Sequence, residues 1–219
     1  MWPALWGAFF AAAEVFRAVA GHGAVEPVVW TGGGFILFFV LWICRVRPLR
    51  AYILAHELTH AAAGILCGAR VGRLKVRASG GSVQLSKSNT FITLAPYLVP
   101  FYAVVLALAA VAVRLAVGGL PCVPAWLAAA GFLWAFHCCF TAGALRVRQP
   151  DIQECGRVFS WSLIALANVL FLAFSLAAAA QLPLSLPAGA VLEETRSAYA
   201  AVFEAARAAA GAVRRAACG

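Results

Sequence analysis

The chain has 219 residues and a net charge of +9, and 64% of its residues are hydrophobic whereas only 11% are charged. Because a soluble globular protein is about half apolar, this composition, with its mean hydropathy of +0.90, excludes an ordinary soluble domain and predicts surface that faces lipid. The basic residues lie in short clusters beside apolar segments, as in the loops of membrane proteins, and they do not form the aromatic-interleaved stripe that would favour nucleic acid as a partner.

Two apolar segments open the chain. Residues 2–20 carry Glu14 and Arg17, so this segment either spans a membrane or lies at its surface. Residues 28–44 are predicted to span, although they fall slightly short of the roughly 20 residues that a spanning helix needs. Three arginines follow directly, which favours a cytoplasmic end at this point: Arg45, Arg47 and Arg50.

Residues 51–67 are predicted to form a helix that carries His-Glu-Leu-Thr-His, from His56 to His60. Pro48 ends the preceding helix and Gly68 can cap this one. The H-E-x-x-H spacing places two imidazoles one turn apart on one helix face, with Glu57 beside them. The motif predicts two zinc ligands and a general base on a single turn. The alternative is that these polar side chains only satisfy one another in a buried bundle.

Residues 69–88 have a different pattern. Apolar and polar residues alternate on both sides of Gly80-Gly81, and this period of two around a glycine pair predicts a β-hairpin. Residues 79–82 are predicted to form its turn, with no chemical role.

The remaining apolar segments are predicted to be helical and lie at residues 91–117, 125–145 and 158–182. The first is interrupted near its start by Pro96 and Pro100, and the second contains His137. A basic loop separates the second from the third. Residues 188–217 are rich in alanine and place several large apolar residues near one helical face, which predicts an amphipathic helix at a surface or interface.

These elements predict an all-α polytopic membrane protein with about five to six membrane helices, a small β-hairpin insert at residues 69–88, and a C-terminal amphipathic helix. The predicted membrane domain covers residues 1–186 and the amphipathic helix covers residues 187–219. The chain is therefore expected to be a multi-pass integral membrane protein, in the cell membrane.

A catalytic zinc needs a third protein ligand beside the two imidazoles, and the candidates are few. Asp151 is the only aspartate and follows Pro150 in a predicted loop beside the last apolar segment. An ionisable group at the end of a membrane segment is costly, so we expect it to have a function. The alternatives are that Asp151 caps the N-terminus of a helix or pairs with an arginine. His137 is either the third ligand, a hydrogen-bond donor that supports the ligands, a group that stabilises the transition state, or an ordinary core histidine. His22, beside glycine, is given no role.

Four stretches carry a resemblance to a known family: AHELTHAAAGILCGARVG, SGGSVQLSKSNTF, LAPYLVP and RQPDIQECGR. Together they resemble the site-2-protease class of membrane zinc metallopeptidases, over residues 51–165. The resemblance implies that H-E-x-x-H lies on one transmembrane helix. It also implies that the third zinc ligand is a proline-preceded aspartate on a later segment, here Asp151, although in that class a glycine follows the aspartate and here none does.

The resemblance also implies a role for the hairpin, in which one strand holds the substrate in extended form. A helical substrate hides its peptide bonds, so it has to unwind and pair its backbone with a strand. Residues 74–76 or 83–85 would supply that edge. The alternative is a plain connecting hairpin.

The order of segments leaves two arrangements open. If the motif helix spans fully and the hairpin stays on the side of the membrane opposite the arginine cluster, two further spans would leave Asp151 on the membrane face away from His56. Either the hairpin re-enters toward the basic face, or one helix is partial. The basic residues of the hairpin favour re-entry.

The function predicted from these features is that of an intramembrane zinc metalloendopeptidase that hydrolyses peptide bonds in or near transmembrane segments. Zn2+ is the expected cofactor, with His56, His60 and Asp151 as ligands. Glu57 is expected to act as general base on zinc-activated water. The expected partners are a membrane protein or peptide substrate and the lipid bilayer.

Two alternatives remain. One is a non-catalytic relative, a membrane scaffold or metal-binding protein that keeps the fold without proteolysis. The retained Glu57 disfavours it, because a structural zinc site has no need of a base. The other is a small transporter, which the lack of a visible internal repeat disfavours.

Overall fold

The computed structural model describes residues 2–21, 25–77 and 80–217, which are mostly helical and contain one two-stranded sheet. The helices in chain order are α1 (Trp2–Gly21), α2 (Val25–Ile43), α3 (Leu49–Leu66), α4 (Thr90–Leu98), α5 (Phe101–Val117), α6 (Val123–Leu145), α7 (Pro150–Cys155), α8 (Arg157–Ala179) and α9 (Ser185–Ala217). The strands are β1 (Val71–Arg77) and β2 (Gly80–Leu85). The hairpin and the long C-terminal helix agree with the sequence pattern.

Four helices among the described residues are long and apolar enough to cross a membrane, namely α1, α2, α6 and α8. Helices α4 and α5 make a fifth if the pair is one broken span, and they meet at an angle of 74°. Pro100 lies at this break and has no amide hydrogen to continue a helix. The motif helix α3 is not one of these candidates, since its histidines, glutamate and arginine make it more polar. The described helices therefore offer four or five candidate spans, where the sequence predicted about five to six.

The described chain divides into two compact units, and α8 contributes to both. One unit contains α1, α9 and the part of α8 from Ala165 onward. Within it, Gly7 lies against Thr195, so α1 and α9 approach closely. The apolar residues predicted along α9 are exposed: Leu192, Tyr199, Val202, Phe203 and Val213.

The second unit runs from Val25 to Ile164, and glycines bring two of its helices together. Gly34 of α2 lies against the carbonyl of Ala128, and Gly131 of α6 lies against the carbonyl of Thr31. Small residues allow backbones to approach in this way, as in helix packing within bilayers. Phe38 fills the interface between these helices beside Phe132 and Phe136.

The hairpin folds back along the motif helix. Leu85 lies against Gly64 near the end of α3, whereas Gly81 lies against Ile53 and Glu57 nearer its start. The strands are antiparallel, with Val76 opposite Gly81 and Leu74 opposite Val83. The paired residues Arg77 and Gly80 therefore lie toward the N-terminal end of α3, which is the direction that the re-entry arrangement predicts.

The predicted turn at residues 79–82 is wrong for its described part. Gly80, Gly81 and Ser82 belong to β2 and pair with β1, whereas Ser79 lies outside the described residues. Gly81 is needed because β2 packs directly on α3, where a β-carbon would lie 2.7 Å from Ile53 Cγ2, whereas Gly80 has a φ of 149°, which favours glycine. A glycine within a strand commonly marks such a close approach of backbone to a neighbouring group.

Asp151 lies on a short helix, where the sequence predicted a loop. Pro150 begins α7, a position at which its missing amide hydrogen costs nothing. Gly156, with a φ of 85°, ends the helix. Ile152 of α7 is buried in a core cluster with Leu94, Tyr97, Ala144 and Ile164, and this packing fixes α7 beside α4.

Candidate metal centre

The two histidines of the motif point their Nε2 atoms at each other. His56 Nε2 and His60 Nε2 are 3.2 Å apart, and the two rings cross at 83°. Both side chains lie on the face of α3 that the hairpin and α4 cover, and both are only partly exposed. The structure thus brings the two predicted ligands together as the motif spacing requires.

A backbone carbonyl determines which nitrogen of His60 is available. His60 Nδ1 lies 2.8 Å from the carbonyl oxygen of Ile92, and since that oxygen can only accept, Nδ1 carries the hydrogen. Ile92 is four residues before Pro96, which lacks the amide hydrogen that would otherwise bond this carbonyl within α4. Pro96 therefore frees the acceptor that fixes the hydrogen on Nδ1 and leaves His60 Nε2 available to a metal ion.

Asp151 supplies the third donor atom. Its Oδ2 lies 3.5 Å from His56 Nε2 and 3.7 Å from His60 Nε2. Oδ2 also accepts a hydrogen bond of 3.0 Å from the hydroxyl of Tyr97. Burial raises the pKa of the Asp151 carboxyl, but the adjacent imidazoles of His56 and His60 and the Tyr97 hydroxyl more than offset this effect, so the pKa lies well below its usual range. The aspartate is thus held as an anion.

Asp151 is neither a helix N-cap nor the partner of an arginine among the described residues. Gln149, and not Asp151, occupies the N-cap of α7. Among the described residues, the ion pairs of Asp151 are with the two histidines and not with an arginine. His56, His60 and Asp151 form the one described group of three His, Cys, Asp or Glu side chains that could hold a metal ion.

The donor distances match a tetrahedral metal site. Zinc bonds of about 2.0–2.1 Å at tetrahedral angles place neighbouring donor atoms about 3.3–3.4 Å apart, close to the 3.2, 3.5 and 3.7 Å observed. A carboxylate and the unprotonated nitrogen of His60 also repel unless a cation lies between them. Nδ1 of His56 is buried without a hydrogen-bond partner among the described residues, so the structure supplies a supporting acceptor for His60 alone.

His137 does not join this group. It lies on α6 and lines a separate cavity of about 20 Å3 together with His56 and Tyr102. His137 therefore adjoins His56 but is not one of the three residues that could hold a metal ion, among which Asp151 is the third. His22 lies outside the described residues.

Glu57 lies beside the donor group and under the hairpin. Its residue surface is only 7% exposed, and the backbone N–H of Val83 donates a hydrogen bond to its carboxylate. A β-carbon on Gly81 would lie 2.6 Å from Cγ and 2.7 Å from Oε1 of Glu57. Strand β2 thus covers the predicted general base, and it can do so because residue 81 has no side chain.

A cavity of about 560 Å3 joins these groups. It is lined by the two motif histidines, Glu57 and Asp151 on one side, and by β2 residues Gly80–Val83 on the other. Such a volume is within the range of small-ligand sites. The site therefore combines three candidate ligands, a carboxylate base and an extended strand around one space.

Three features of the site were not predicted from the sequence. They are the hydroxyl of Tyr97 on Asp151, the Ile92 carbonyl on His60, and the Gly81–Val83 cover on Glu57. The proline four residues after Ile92 is a sequence signal for the second, and glycine within a strand is one for the third. No comparable signal marks Tyr97.

Comparison of the chain with protein-family models, curated proteins and solved structures gives no match.

Proposed function

We propose that the chain is an integral membrane zinc metalloendopeptidase that hydrolyses peptide bonds in or near membrane-spanning segments, as the resemblance to the site-2-protease class implies. The observation that carries the proposal is the convergence of His56, His60 and Asp151 next to Glu57 in one cavity. A structural zinc site has four protein ligands, whereas a catalytic one has three and an open position. Three donors beside a carboxylate fit the catalytic pattern.

The nature of the donors favours zinc. Two imidazole nitrogens and one carboxylate oxygen are a usual ligand set for catalytic zinc in proteins, while calcium and magnesium prefer oxygen ligands alone. When bound, zinc would act as a Lewis acid on a carbonyl and lower the pKa of a water ligand.

The residues around the donors would orient the ligands and transfer the proton. Tyr97 and the Ile92 carbonyl hold Asp151 and His60 in the orientations that the ligand set needs. The Glu57 carboxylate lines the same cavity, so it is placed to accept a proton from attacking water and to return it to the leaving amide nitrogen.

Strand β2 suits an extended peptide substrate. The Val83 N–H points to Glu57 and away from β1, so this edge of the strand faces the cavity. A peptide that adds to the edge would offer a carbonyl to this N–H in place of Glu57. The exchange would release the base while it aligns the peptide beside the donors.

Four candidate spans support a membrane location. The proposal therefore places the protein in the lipid bilayer of the cell membrane. A bilayer-embedded substrate would be helical and would have to unwind to reach β2, because its backbone groups must stay paired. The proposed substrates are therefore membrane proteins or peptides with a segment that unwinds readily.

The experiment is cleavage of a model transmembrane peptide by the zinc-loaded full chain in detergent micelles, followed by mass spectrometry. The wild type is expected to cleave, while Glu57→Gln keeps its zinc and loses cleavage. His56→Ala is expected to lose both zinc and cleavage. Cleavage that persists in Glu57→Gln would remove the glutamate from the mechanism.

A second candidate function is a non-catalytic metal-binding membrane protein. The observation that favours it is the cover on Glu57, whose carboxylate is almost fully buried and tied to Val83. Wild-type protein with one zinc per chain and no cleavage of unwound peptides would support this function over proteolysis.

A further inference from the structure

The β-hairpin has a cationic outer face. Gly81 and Val83 face α3 and line the metal cavity, and their cross-strand partners Val76 and Leu74 share that face. The alternate residues of β1 lie on the opposite face, and all three are exposed cations: Arg73, Lys75 and Arg77. The face that turns away from the metal cavity is therefore positively charged.

These three cations have no protein counter-ion among the described residues. The ion pairs found there involve Asp151 with the motif histidines and Glu204 with Arg207, and none involves β1. Residues two apart on a strand are about 6.8 Å from each other, so the like charges repel one another along the face. This arrangement favours an anionic ligand.

The outer face also contains a cavity of about 260 Å3, lined by Lys75, Arg77 and the β2 residues Gly80–Ser82. Register explains why it is concave. Lys75 lies opposite Ser82 and Arg77 lies opposite Gly80, so each long cation faces a small residue. The groups that line it are an ammonium, a guanidinium and a hydroxyl, which are donors suited to phosphate oxygens.

We propose that this cavity binds the phosphate group of an anionic phospholipid. Gly81 of β2 lies against Ile53, in the first turns of α3. The exposed arginines at residues 45, 47 and 50 precede or begin the same helix. Clusters of cations beside membrane segments mark the side of a bilayer whose headgroups carry negative charge. A lipid phosphate is therefore the anion most available to this face.

A lipid bound at the outer face of the hairpin would affect the cavity that contains His56, Glu57 and Asp151. Gly80, Gly81 and Ser82 line both cavities, so one strand segment separates the lipid from Glu57. A headgroup held by Lys75 and Arg77 would fix this segment in its place over the base. The binding itself does not depend on the proposed proteolysis, and it is tested without any measurement of cleavage.

The test uses the full chain in detergent micelles, titrated with dioctanoyl phosphatidylglycerol or dioctanoyl phosphatidylcholine and followed by native mass spectrometry. The double variant Lys75→Gln/Arg77→Gln removes the two cations that line the cavity. Arg114→Gln/Arg146→Gln is the matched control, since it removes the same charge from exposed positions outside the hairpin. Lys75→Arg/Arg77→Lys keeps the charge and separates a loss of cations from a loss of folding. Inorganic phosphate and a polyglutamate peptide are added as competitors.

The wild type is expected to bind phosphatidylglycerol more tightly than phosphatidylcholine. Each cation near an anionic headgroup contributes on the order of fivefold in affinity, so the Gln double variant should lose roughly 25-fold, while the control and the charge-conserving variant keep their preference. Equal binding of both lipids by the wild type, or equal loss in the control, would overturn the proposal. Displacement of the lipid by millimolar inorganic phosphate would assign the site to free phosphate. Tight binding of polyglutamate without a preference between the two lipids would assign the site to an acidic protein partner. Either result would overturn the proposal of a lipid ligand.

Discussion

The hydroxyl of Tyr97 donates to Oδ2 of Asp151 over 3.0 Å, and this is the carboxylate oxygen that faces both motif histidines. Tyr97 comes from α4 and Asp151 from α7, while the histidines come from α3. The bond therefore connects the candidate third ligand to a helix that also contacts His60 through the Ile92 carbonyl. One short helix orients two of the three donors.

Substitution Tyr97→Phe is expected to lower zinc affinity by about 10–100-fold, the usual cost of removing a group that orients a ligand. Competition against a chromophoric zinc chelator measures the change. Tyr102→Phe is the matched control, because it removes a tyrosine hydroxyl bond of 2.9 Å to the Ala51 carbonyl and leaves the donors untouched. Equal affinities for the two variants would contradict a role for Tyr97 in the site.

The third ligand is tested by Asp151→Asn beside His137→Gln. The amide carries no charge, so Asp151→Asn should weaken zinc binding by more than the roughly 100-fold that a supporting residue costs. His137→Gln should lose about 100-fold or less, because His137 adjoins His56 and lines a separate cavity. The same chelator competition measures the zinc affinity of both variants. A larger loss of affinity in His137→Gln than in Asp151→Asn would indicate that His137 is the third ligand.

Gly81→Ala is expected to reduce cleavage by about 100-fold, the scale set by a misplacement of about 1 Å near the reacting groups, while zinc stays bound. The new methyl would lie 2.6 Å from Glu57 Cγ, so the strand or the base has to shift. Gly72→Ala is the control on the same hairpin, since its methyl meets the flexible side chain of Gln84 at 3.2 Å. Peptide cleavage and zinc content are measured together. Unchanged cleavage in Gly81→Ala would show that the tight contact does not matter for the reaction.

The close crossing of α2 and α6 is tested by two neighbouring glycines. Gly34→Ala would drive a methyl into the carbonyl of Ala128, whereas a methyl on Gly33 meets nothing within 4 Å. Gly34→Ala should destabilise the protein by about 1–3 kcal/mol, as overpacking does. Gly33→Ala should be neutral or slightly stabilising, because alanine favours helix over glycine. Thermal unfolding followed by circular dichroism distinguishes them, and equal melting temperatures would refute the crossing.

The sequence predicted the parts of the site that local spacing determines. His56, Glu57 and His60 lie on one helix because their positions are fixed by the helical period, and the alternation around Gly80 marked a hairpin. Asp151 could be proposed because charged residues are rare in this chain. Its choice over His137 needed the structure, since only the packing of α7 against α4 brings it to the histidines.

The remaining features depend on contacts between distant segments. The sequence predicted a turn at residues 79–82 because glycine pairs commonly form turns, but Gly80–Ser82 belong to β2, and β2 needs Gly81 to pack on α3. The sequence predicted α3 to be among about five to six membrane helices, whereas the four or five candidate spans do not include it because its polar motif lowers its hydropathy. Tyr97 is one aromatic residue in an apolar run, and nothing in its neighbours points to a partner 54 positions later in the chain.

X-ray absorption at the zinc edge, recorded on the purified full chain loaded with one equivalent of zinc, tests the metal centre most directly. Two imidazole nitrogens and oxygen donors are expected at about 2.0–2.1 Å, with no sulfur, and Asp151→Asn should change the oxygen contribution. A sulfur shell at about 2.3 Å, or a spectrum with one imidazole or none, would contradict a centre built by His56, His60 and Asp151.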